Sequence, residues 1–540
     1  MFVHYDSKPN QSNMAQYLIQ AVLVSAAIIA FIQARNWLRW RTLNKWGEQY
    51  GCGAPPVVEN KLPGGIERYS ILFTGLKGVD FLEDIIRKRY ISMGTNTFRI
   101  FSLFNSSIVS TSEPENIQAL LATQFHDFDL GTSRKNNFHD LLGNGIFTAN
   151  GEAWSHFRRQ LRPQFSRDQV SDMEAADRHL GILFKALPEE NALGWVEGAD
   201  FLPLVYRFTM DVSSEFLFGE SVNSQSTALH SQDSGNRKDL QKELDFSEAI
   251  NYAQESIIWR IRLPILQSLW TSKKFKKACK TVKDFADHFV RIALDPDHKQ
   301  PPTLPGQKPK YVFLNELVAE TRDPIELRDQ VLHIMVAGRD TTSALLCWVI
   351  LLLARHPAEF QHLREAIVSQ FGTEKSPTNE LTFESLKACK ELKNVLYETM
   401  RLYPLVPLNG REAVKDTTLP TGGGPDHKQP IAIRKGEQIG YSAYVMHRRK
   451  DIWGEDSDEF RSARWEGRKL GWEFIAFSGG PRICIGQQYA LNEASFVMVK
   501  ILQRYDHIEA LDMTGKIPKA ITLTMSPGNG VKVRMHRAAS

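Results

Sequence analysis

The sequence predicts a mainly α-helical protein with a small β-rich lobe, preceded by an N-terminal membrane anchor helix. Three observations carry that prediction. Helical patterning runs from Met173 to about Trp270 with one interruption, and the longest apolar helical run follows from Asp323 to Leu353. Two β-rich runs, TFRIFSL and SIVST, lie between Thr97 and Thr111, and turn-rich stretches after Thr418 read as further hairpins. Met14 to Ile32 is a run of 19 residues without a charge, about the length that crosses a bilayer core of ~30 Å.

Composition sets the class. With 42% hydrophobic and 24% charged residues, the chain can bury a sizeable core. A net charge of +4 over 540 residues gives no reason to invoke nucleic acid. The five cysteines, at 52, 279, 347, 389 and 484, are odd in number and form no C-x-x-C pair, which excludes a disulfide framework and a cysteine zinc site and suits the reducing cytosol.

After the uncharged run come Arg35, Arg39, Arg41 and Lys45, whereas only Asp6 and Lys8 are charged before it. The positive-inside rule then keeps the bulk of the chain cytosolic. A cleaved signal peptide fits less well, because its leading segment carries net positive charge. Trp37 to Tyr50 reads as an amphipathic interfacial helix that Pro55-Pro56 ends. The expected division is a lumenal N-terminus at 1–13, an anchor at 14–32, a basic amphipathic linker and Pro hinge at 33–60, and one catalytic body at 61–540.

In the body, the β runs flank Phe104-Asn-Ser106, a hairpin signal, and Glu113 to Ala122 reads as a short helix. Asp129 through Gly145 reads as a Gly-containing loop. Trp154 and Arg158 then stand four residues apart on a helix, hence on one face; alone, such a pair makes an ordinary cation–π contact. Ser221 to Asp239 is polar and too poor in apolar groups to order itself, while its flanks, Phe201 to Phe218 and Phe246 to Trp270, are aromatic-rich. Asp295 to Lys310 is a Pro-rich exposed connection.

The middle of the 323–353 run reads Ala337-Gly-Arg-Asp-Thr-Thr342. These residues cost helix propensity. Thr and Ser can return a hydrogen bond one turn back and bend or open the helix. Arg339 there either faces solvent or meets a carboxylate. Glu398 and Arg401, at i and i+3, are ringed by Leu392, Val395, Leu396 and Met400, so this pair is a candidate for burial, where charges need full pairing.

Thr418 to Tyr444 reads as a second set of hairpins, and Ala520 to Arg534 as strands around Pro527-Gly-Asn-Gly530. Between them stands Phe477-Ser-Gly-Gly-Pro-Arg-Ile-Cys-Ile-Gly486, followed by a helical pattern. Gly480 and Gly486 free the backbone for a tight turn and close approach of a flat ligand. Cys484, at a helix N-terminus beside Arg482, has its anionic form favoured, as a metal ligand requires.

The spacing of Phe477, Gly480, Arg482, Cys484 and Gly486 resembles the cysteine-ligand loop of the cytochrome P450 family. The other motifs fall in that family's order. Trp154 and Arg158 resemble its W-x-x-x-R helix, which holds a haem propionate. Ala337 to Thr342 resembles its A-G-x-D/E-T-T signature, where a long helix crosses the haem's distal face and is locally widened. Glu398 and Arg401, completed by Arg464, resemble its structural E-x-x-R triad; Ser462 departs from the pattern, standing where proline is usual, which questions local rigidity.

The resemblance implies the cytochrome P450 fold, with haem b between the long oxygen-binding helix and the cysteine-loop helix. It implies iron ligation by Cys484, and thiolate ligation favours O–O cleavage. It implies that Asp340 relays protons from solvent, that Thr341 hydrogen-bonds at the oxygen site, and that Ala337 and Gly338 leave room there. It assigns 201–218 and 246–270 to a lid over the substrate channel. Leu405, Val406, Leu408, Leu523 and the residues around 138–147 would line a lipophilic pocket, the 523–525 tip dipping into it.

The implied reaction is insertion of one oxygen atom into a C–H bond, with electrons from NADPH through NADPH–cytochrome P450 reductase and with cytochrome b5 as a second donor. The implied place is the endoplasmic reticulum membrane, single-pass, in contact with lipid. The stretches 129–154 and 401–411 are similar to fungal n-alkane and fatty-acid hydroxylases; similar fungal chains also oxidise polyketide or terpenoid intermediates of secondary metabolism. A haem-thiolate isomerase or dehydratase and a haem sensor are the readings from other classes, and neither needs Asp340 with Thr341.

Overall fold

The computed structural model describes residues 11–60, 79–101, 107–230, 237–262, 271–295, 311–513 and 515–539. The N-terminal ten residues, the turn 104–106, the end of the run to Trp270 and nearly all of 295–310 therefore lie outside the described residues.

A single helix, α1 (Gln11–Gln49), covers both the uncharged run and the basic segment after it. The expected separate interfacial helix is its last turns. These are docked: Leu43 is buried, and the Trp40 ring lies under Arg99 and Arg434 at 4.5 and 4.9 Å. Among the described residues, the helix that is long and apolar enough to cross a membrane is α12 (Pro324–Arg355), yet 83% of its apolar window is buried inside the protein, so it is the central core helix.

Helix α12 is the axis of the body. Asp323 caps it by accepting from the Ile325 and Glu326 amides, and Pro324 at its first position already lacks the amide that would go unpaired. Trp348 in its second half is fully buried, stacks on Tyr403 at 3.8 Å, and donates to the Met525 carbonyl. Against it packs α7 (Phe201–Phe218), buried along most of its length. The lid reading for 201–218 is therefore corrected: an aromatic-rich helix buried all round is core. Helix α9 (Arg237–Arg262) lies over α4 (Thr132–Leu142) and α10 (Lys273–Leu294).

Two further expectations change. The loop expected over 129–145 contains α4, which buries Phe138, Leu141 and Leu142 on one face and stops at Gly143, whose φ of +66° places a would-be Cβ inside the Asp329 carboxylate. The polar stretch 221–239 holds a short helix, α8 (Ser224–His230), because the Asp211 carboxylate accepts from the Ser224 and Gln225 amides at its start. The 173–270 patterning is also interrupted by a strand, β5 (Trp195–Asp200).

The β-rich lobe is as expected. β2 (Thr97–Phe101) and β3 (Ser107–Thr111) are antiparallel, and the six-stranded sheet runs β1-β2-β3-β9-β6-β4, with β1 Val57–Val58, β4 Phe128–Asp129, β6 Leu408–Ala413 and β9 Gln438–Ser442. β7 (Thr417–Gly423) and β8 (Gln429–Ile433) form a hairpin, as do β11 (Lys519–Ile521) and β12 (Met525–Pro527). β10 (Tyr505–Ala510), β13 (Lys532–Arg537) and β5 make a three-stranded sheet.

Candidate active site

The cysteine loop is folded by its own backbone. A 3₁₀ turn over Gly480–Arg482 leads to Cys484, whose amide donates to the Phe477 carbonyl at 2.9 Å, and helix α15 (Gln487–Arg504) starts three residues on. Gly480 has φ +63°, and a Cβ there would fall 1.8 Å from the Leu121 carbonyl oxygen. Only glycine fits. Gly486 meets nothing closer than an ordinary contact with Phe165 at 3.6 Å, so its smallness serves the ligand side. Phe477 packs against the main core cluster.

Cys484 sits deep in the fold yet keeps accessible surface. Burial pushes its thiol up from the ordinary value, while the Gly486 amide and Arg158 act in the opposite direction. The cation that favours the thiolate is thus Arg158, not the neighbouring Arg482. Arg482 instead turns toward the 146–150 segment, donating to the Ala149 carbonyl at 3.0 Å and to Asn150 Oδ1 at 3.1 Å, with its guanidinium 4.4 Å over the Trp154 ring. Trp154 and Arg158 do share one face of α5 (Gly151–Leu161), 5.8 Å apart.

Arg482 and Arg158 belong to a larger group of cations. Burial, with Arg411 and Arg134 close by, pushes Arg482 down to about 9; burial and Arg411 push Arg134 down to about 10. Burial also lowers Arg158. Among the described residues none of these four guanidiniums has a carboxylate within ion-pair distance, and Arg134 Nε is buried without a hydrogen-bond partner. Concentrated, desolvated positive charge of this kind requires anions. The two propionate carboxylates of a haem would satisfy it and Cys484 would ligate its iron, so the residues present fit haem. Arg134 and Arg411 escape sequence reasoning because nothing local marks them.

Across α12, hydrogen bonding is α-helical without interruption through 337–342, so the expected widening is absent. The Thr341 hydroxyl donates to the Ala337 carbonyl at 2.7 Å, which satisfies the alcohol inside an intact helix. Gly338 lets α7 approach, since a Cβ would lie 3.3 Å from Ser213 Oγ. Asp340 is buried. Its Oδ2 accepts from Gln254 Nε2 at 2.7 Å, and Oδ1 lies 3.4 Å from Arg339 Nη1. Arg339 thereby meets a carboxylate, and it also donates to Asn251 Oδ1 at 3.0 Å. Thr342, two residues past Asp340, donates to Glu493 on α15, a fully enclosed carboxyl that burial pushes up to about 8.

The triad assembles as expected. In α14 (Lys390–Leu402), Arg401 makes a two-point pair with Glu398, both bonds 2.8 Å, and donates to the His447, Ser457 and Glu459 carbonyls; Arg464 reaches Glu398 at 3.2 Å. Both members of the first pair are fully buried, and Trp465 Nε1 adds a bond to the same carboxylate. Ser462 is not a weak point, because its amide and hydroxyl donate to Glu359 at 3.2 and 2.6 Å.

The pocket residues divide. Leu523 packs against the cluster holding Phe138, Ile146, Phe246 and Val336, as does Phe147, which stacks on His333. Leu405 is buried in the main core and its carbonyl accepts from the Met525 amide, so the 522–524 tip is tied to the segment after α14. Leu408 packs against that same core, and Val406 retains 39% of its surface.

Comparison with known proteins agrees with this geometry. The family model "Cytochrome P450" matches residues 69–532. "Cytochrome P450 monooxygenase g430" of Fusarium sp is 47% identical over 95% of this chain and 90% of its own. "Cytochrome P450 52A12" of Debaryomyces hansenii is 42% identical over 96% and 97%, and "Cytochrome P450 52A5" of Candida maltosa 46% over 82% and 83%. The crystal structure of the cytochrome P450DA heme domain shares the fold, with TM-score 0.71 over 90% of this chain and 98% of that one at 19% identity. A mainly helical body that gathers a cationic cradle around the cysteine loop fits a haem enzyme. The chain belongs to the cytochrome P450 family, and is a haem-dependent monooxygenase of a lipophilic substrate, supplied with NADPH electrons through a reductase.

Proposed function

We propose that this enzyme hydroxylates a long, unactivated hydrocarbon chain, a fatty acid or an n-alkane, from the membrane that holds its N-terminal helix. The observation that carries the reading is apolar: Phe138, Ile146, Phe246 and Val336, the residue before Ala337, belong to one buried cluster against which Leu523 packs. Such a lining binds methylenes by burial, at about 0.8 kcal/mol each. The 129–154 and 401–411 stretches, similar to fungal n-alkane and fatty-acid hydroxylases, support the same reading.

Each residue's part follows from its surroundings. Cys484 would hold the iron as its thiolate, a form favoured by the Gly486 amide and Arg158. Arg482, Arg158, Arg134 and Arg411, with Trp154, would hold the propionates. The chemistry a haem would supply there is dioxygen activation with two electrons and two protons, one oxygen atom entering the substrate and the other leaving as water. Thr341 must turn its hydroxyl from the Ala337 carbonyl to donate elsewhere. Asp340, held by Gln254 and Arg339, moves protons toward that hydroxyl. Glu398, Arg401 and Arg464 hold the core under the cysteine loop and take no part in bond breaking.

For the anchor, α1 exposes Tyr17, Ile19, Val22, Leu23, Val24 and Phe31, each between 58 and 70%, ahead of its basic turns. Exposed apolar groups around a long helix suit lipid. A single-pass endoplasmic reticulum placement, the 14–32 span and a second electron supply from cytochrome b5 belong to the same proposal.

The test is turnover with reductase, NADPH and either dodecanoic acid or hexadecane, comparing wild type with Thr341→Ala. Hydroxylated product from wild type, with NADPH use uncoupled from product in the variant, is expected. Unchanged coupling would remove Thr341 from the relay, and no product from either substrate would overturn the substrate class.

A further inference from the structure

We propose that His333 is a positioning residue for the substrate: it fixes the ring of Phe147 as a wall of the substrate space between the cysteine loop and Ala337. Helix α12 holds the 143–148 segment on two consecutive turns. Asp329 Oδ2 accepts from the Asn144 amide at 2.8 Å, and His333 Nδ1, four residues on, accepts from the Phe147 amide at 3.3 Å. The His333 and Phe147 rings also stack, with centroids 5.4 Å apart and planes 27° from parallel. Ala337 and Thr341 follow His333 at further four-residue steps, so the four positions form one ridge along the helix.

The same segment is tied to the cysteine loop. Arg482, two residues before Cys484, donates to the Ala149 carbonyl at 3.0 Å and to the Ile146 carbonyl at 3.5 Å. The backbone around Phe147 is thus pinned by α12 and by the cysteine loop together. Phe147 packs against the same apolar cluster as Ile485, the residue after Cys484, and Val336, the residue before Ala337, belongs to that cluster. Gly145, Ile146, Thr148 and Ala149 are all buried, whereas Phe147 is half-buried. It is therefore the side chain with which this stretch can meet a ligand.

The imidazole suits this task. A backbone amide can only donate, so Nδ1 keeps its lone pair and the proton sits on Nε2. That requires the neutral ring, and burial, with the Arg134 guanidinium close by, pushes His333 down to about 3. The acceptor is therefore present across the neutral range. The segment is shaped to the ring as well: a Cβ on Gly145 would lie 2.5 Å from His333 Cδ2 and 2.6 Å from Nε2. Thr148 braces the turn from inside, accepting from the Gly145 amide at 3.0 Å and donating to the Gly143 carbonyl at 2.9 Å. A segment held at so many points gives the Phe147 ring one place, and that place decides how a lipophilic substrate lies against Ala337 and Thr341.

The experiment compares full-length, haem-loaded wild type, His333→Ala, Phe147→Ala and the double variant. Its first readout is the Kd of 1-phenylimidazole, a lipophilic ligand of haem iron, followed by the Soret shift. Each single variant should change that Kd by about fivefold or more, the scale of one neutral hydrogen bond together with a ring contact. In the Phe147→Ala background, His333→Ala should change nothing further, because His333 acts through that ring. His333→Asn, whose Oδ1 can accept from the Phe147 amide but brings no ring, should fall between wild type and His333→Ala, and it carries the comparison if His333→Ala does not load haem. The second readout is the ratio of hydroxylation positions on dodecanoic acid, which should spread alike in His333→Ala and Phe147→Ala. That ratio rests on the substrate class proposed above and the azole affinity does not, so a wild type without product counts against that class alone. Azole affinity at the wild-type value in both single variants, or a His333→Ala effect of full size without the Phe147 ring, would overturn the assignment.

Discussion

Gln254, on the helix that covers the site, donates a 2.7 Å hydrogen bond to the buried carboxylate of Asp340 on the central helix. The acid is therefore gripped from outside its own helix. Any movement of α9 on substrate binding changes what Asp340 can reach.

Gln254→Leu should lower the fraction of NADPH electrons recovered in product by about tenfold. One hydrogen bond to a charged group is worth about 1.5–3 kcal/mol, and its loss leaves Asp340 oriented by Arg339 alone. The solvent isotope effect on turnover should rise together with uncoupling. Coupling and isotope effect at wild-type values would show that Gln254 only packs.

Glu493 makes stability fall with pH. Its folded value is raised to about 8 by burial, so between the ordinary carboxylate range and that value the native state holds a proton that the unfolded chain has lost. The stabilisation is complete below the unfolded value and is lost as pH rises through the folded one, at roughly 1.4 kcal/mol per pH unit. Glu493→Gln, which keeps a partner for Thr342, should flatten the thermal-unfolding profile between about pH 5 and 8 and raise the melting temperature at neutral pH. A variant with the wild-type slope would mean another group sets the dependence.

Ser462→Pro, which restores the family's more usual residue, should destabilise this chain. It removes the amide and the hydroxyl that donate to the half-buried Glu359 carboxylate, at a cost of about 1–3 kcal/mol. Chemical denaturation followed by loss of the haem spectrum measures this. A midpoint equal to or above wild type would show that the fixed proline φ compensates.

What the sequence makes legible here is what short spacing encodes. The cysteine loop, the Trp154–Arg158 face, the Glu398–Arg401 pair and the core helix each depend on residues within one or two turns, and each is found where spacing places it. The rest is tertiary. Arg134 and Arg411 become part of the cationic cradle only when α4 and β6 meet the cysteine loop. Gln254 reaches Asp340 across 86 residues. β5 is a strand because β13, over 300 residues later, pairs with it. Helix α4 is hidden by a polar sequence whose three apolar residues matter only against a partner. The Arg482 side chain, two residues before Cys484 in sequence, turns to Asn150 and Trp154, leaving the electrostatic part to Arg158.

The central claim is that Cys484 ligates the iron, and the most direct test is the carbon monoxide difference spectrum of the reduced enzyme, wild type against Cys484→Ser. A thiolate-type Soret shift in wild type that disappears in the variant is the predicted result. A folded, haem-loaded wild type without that shift, or a variant that retains it, would contradict the account.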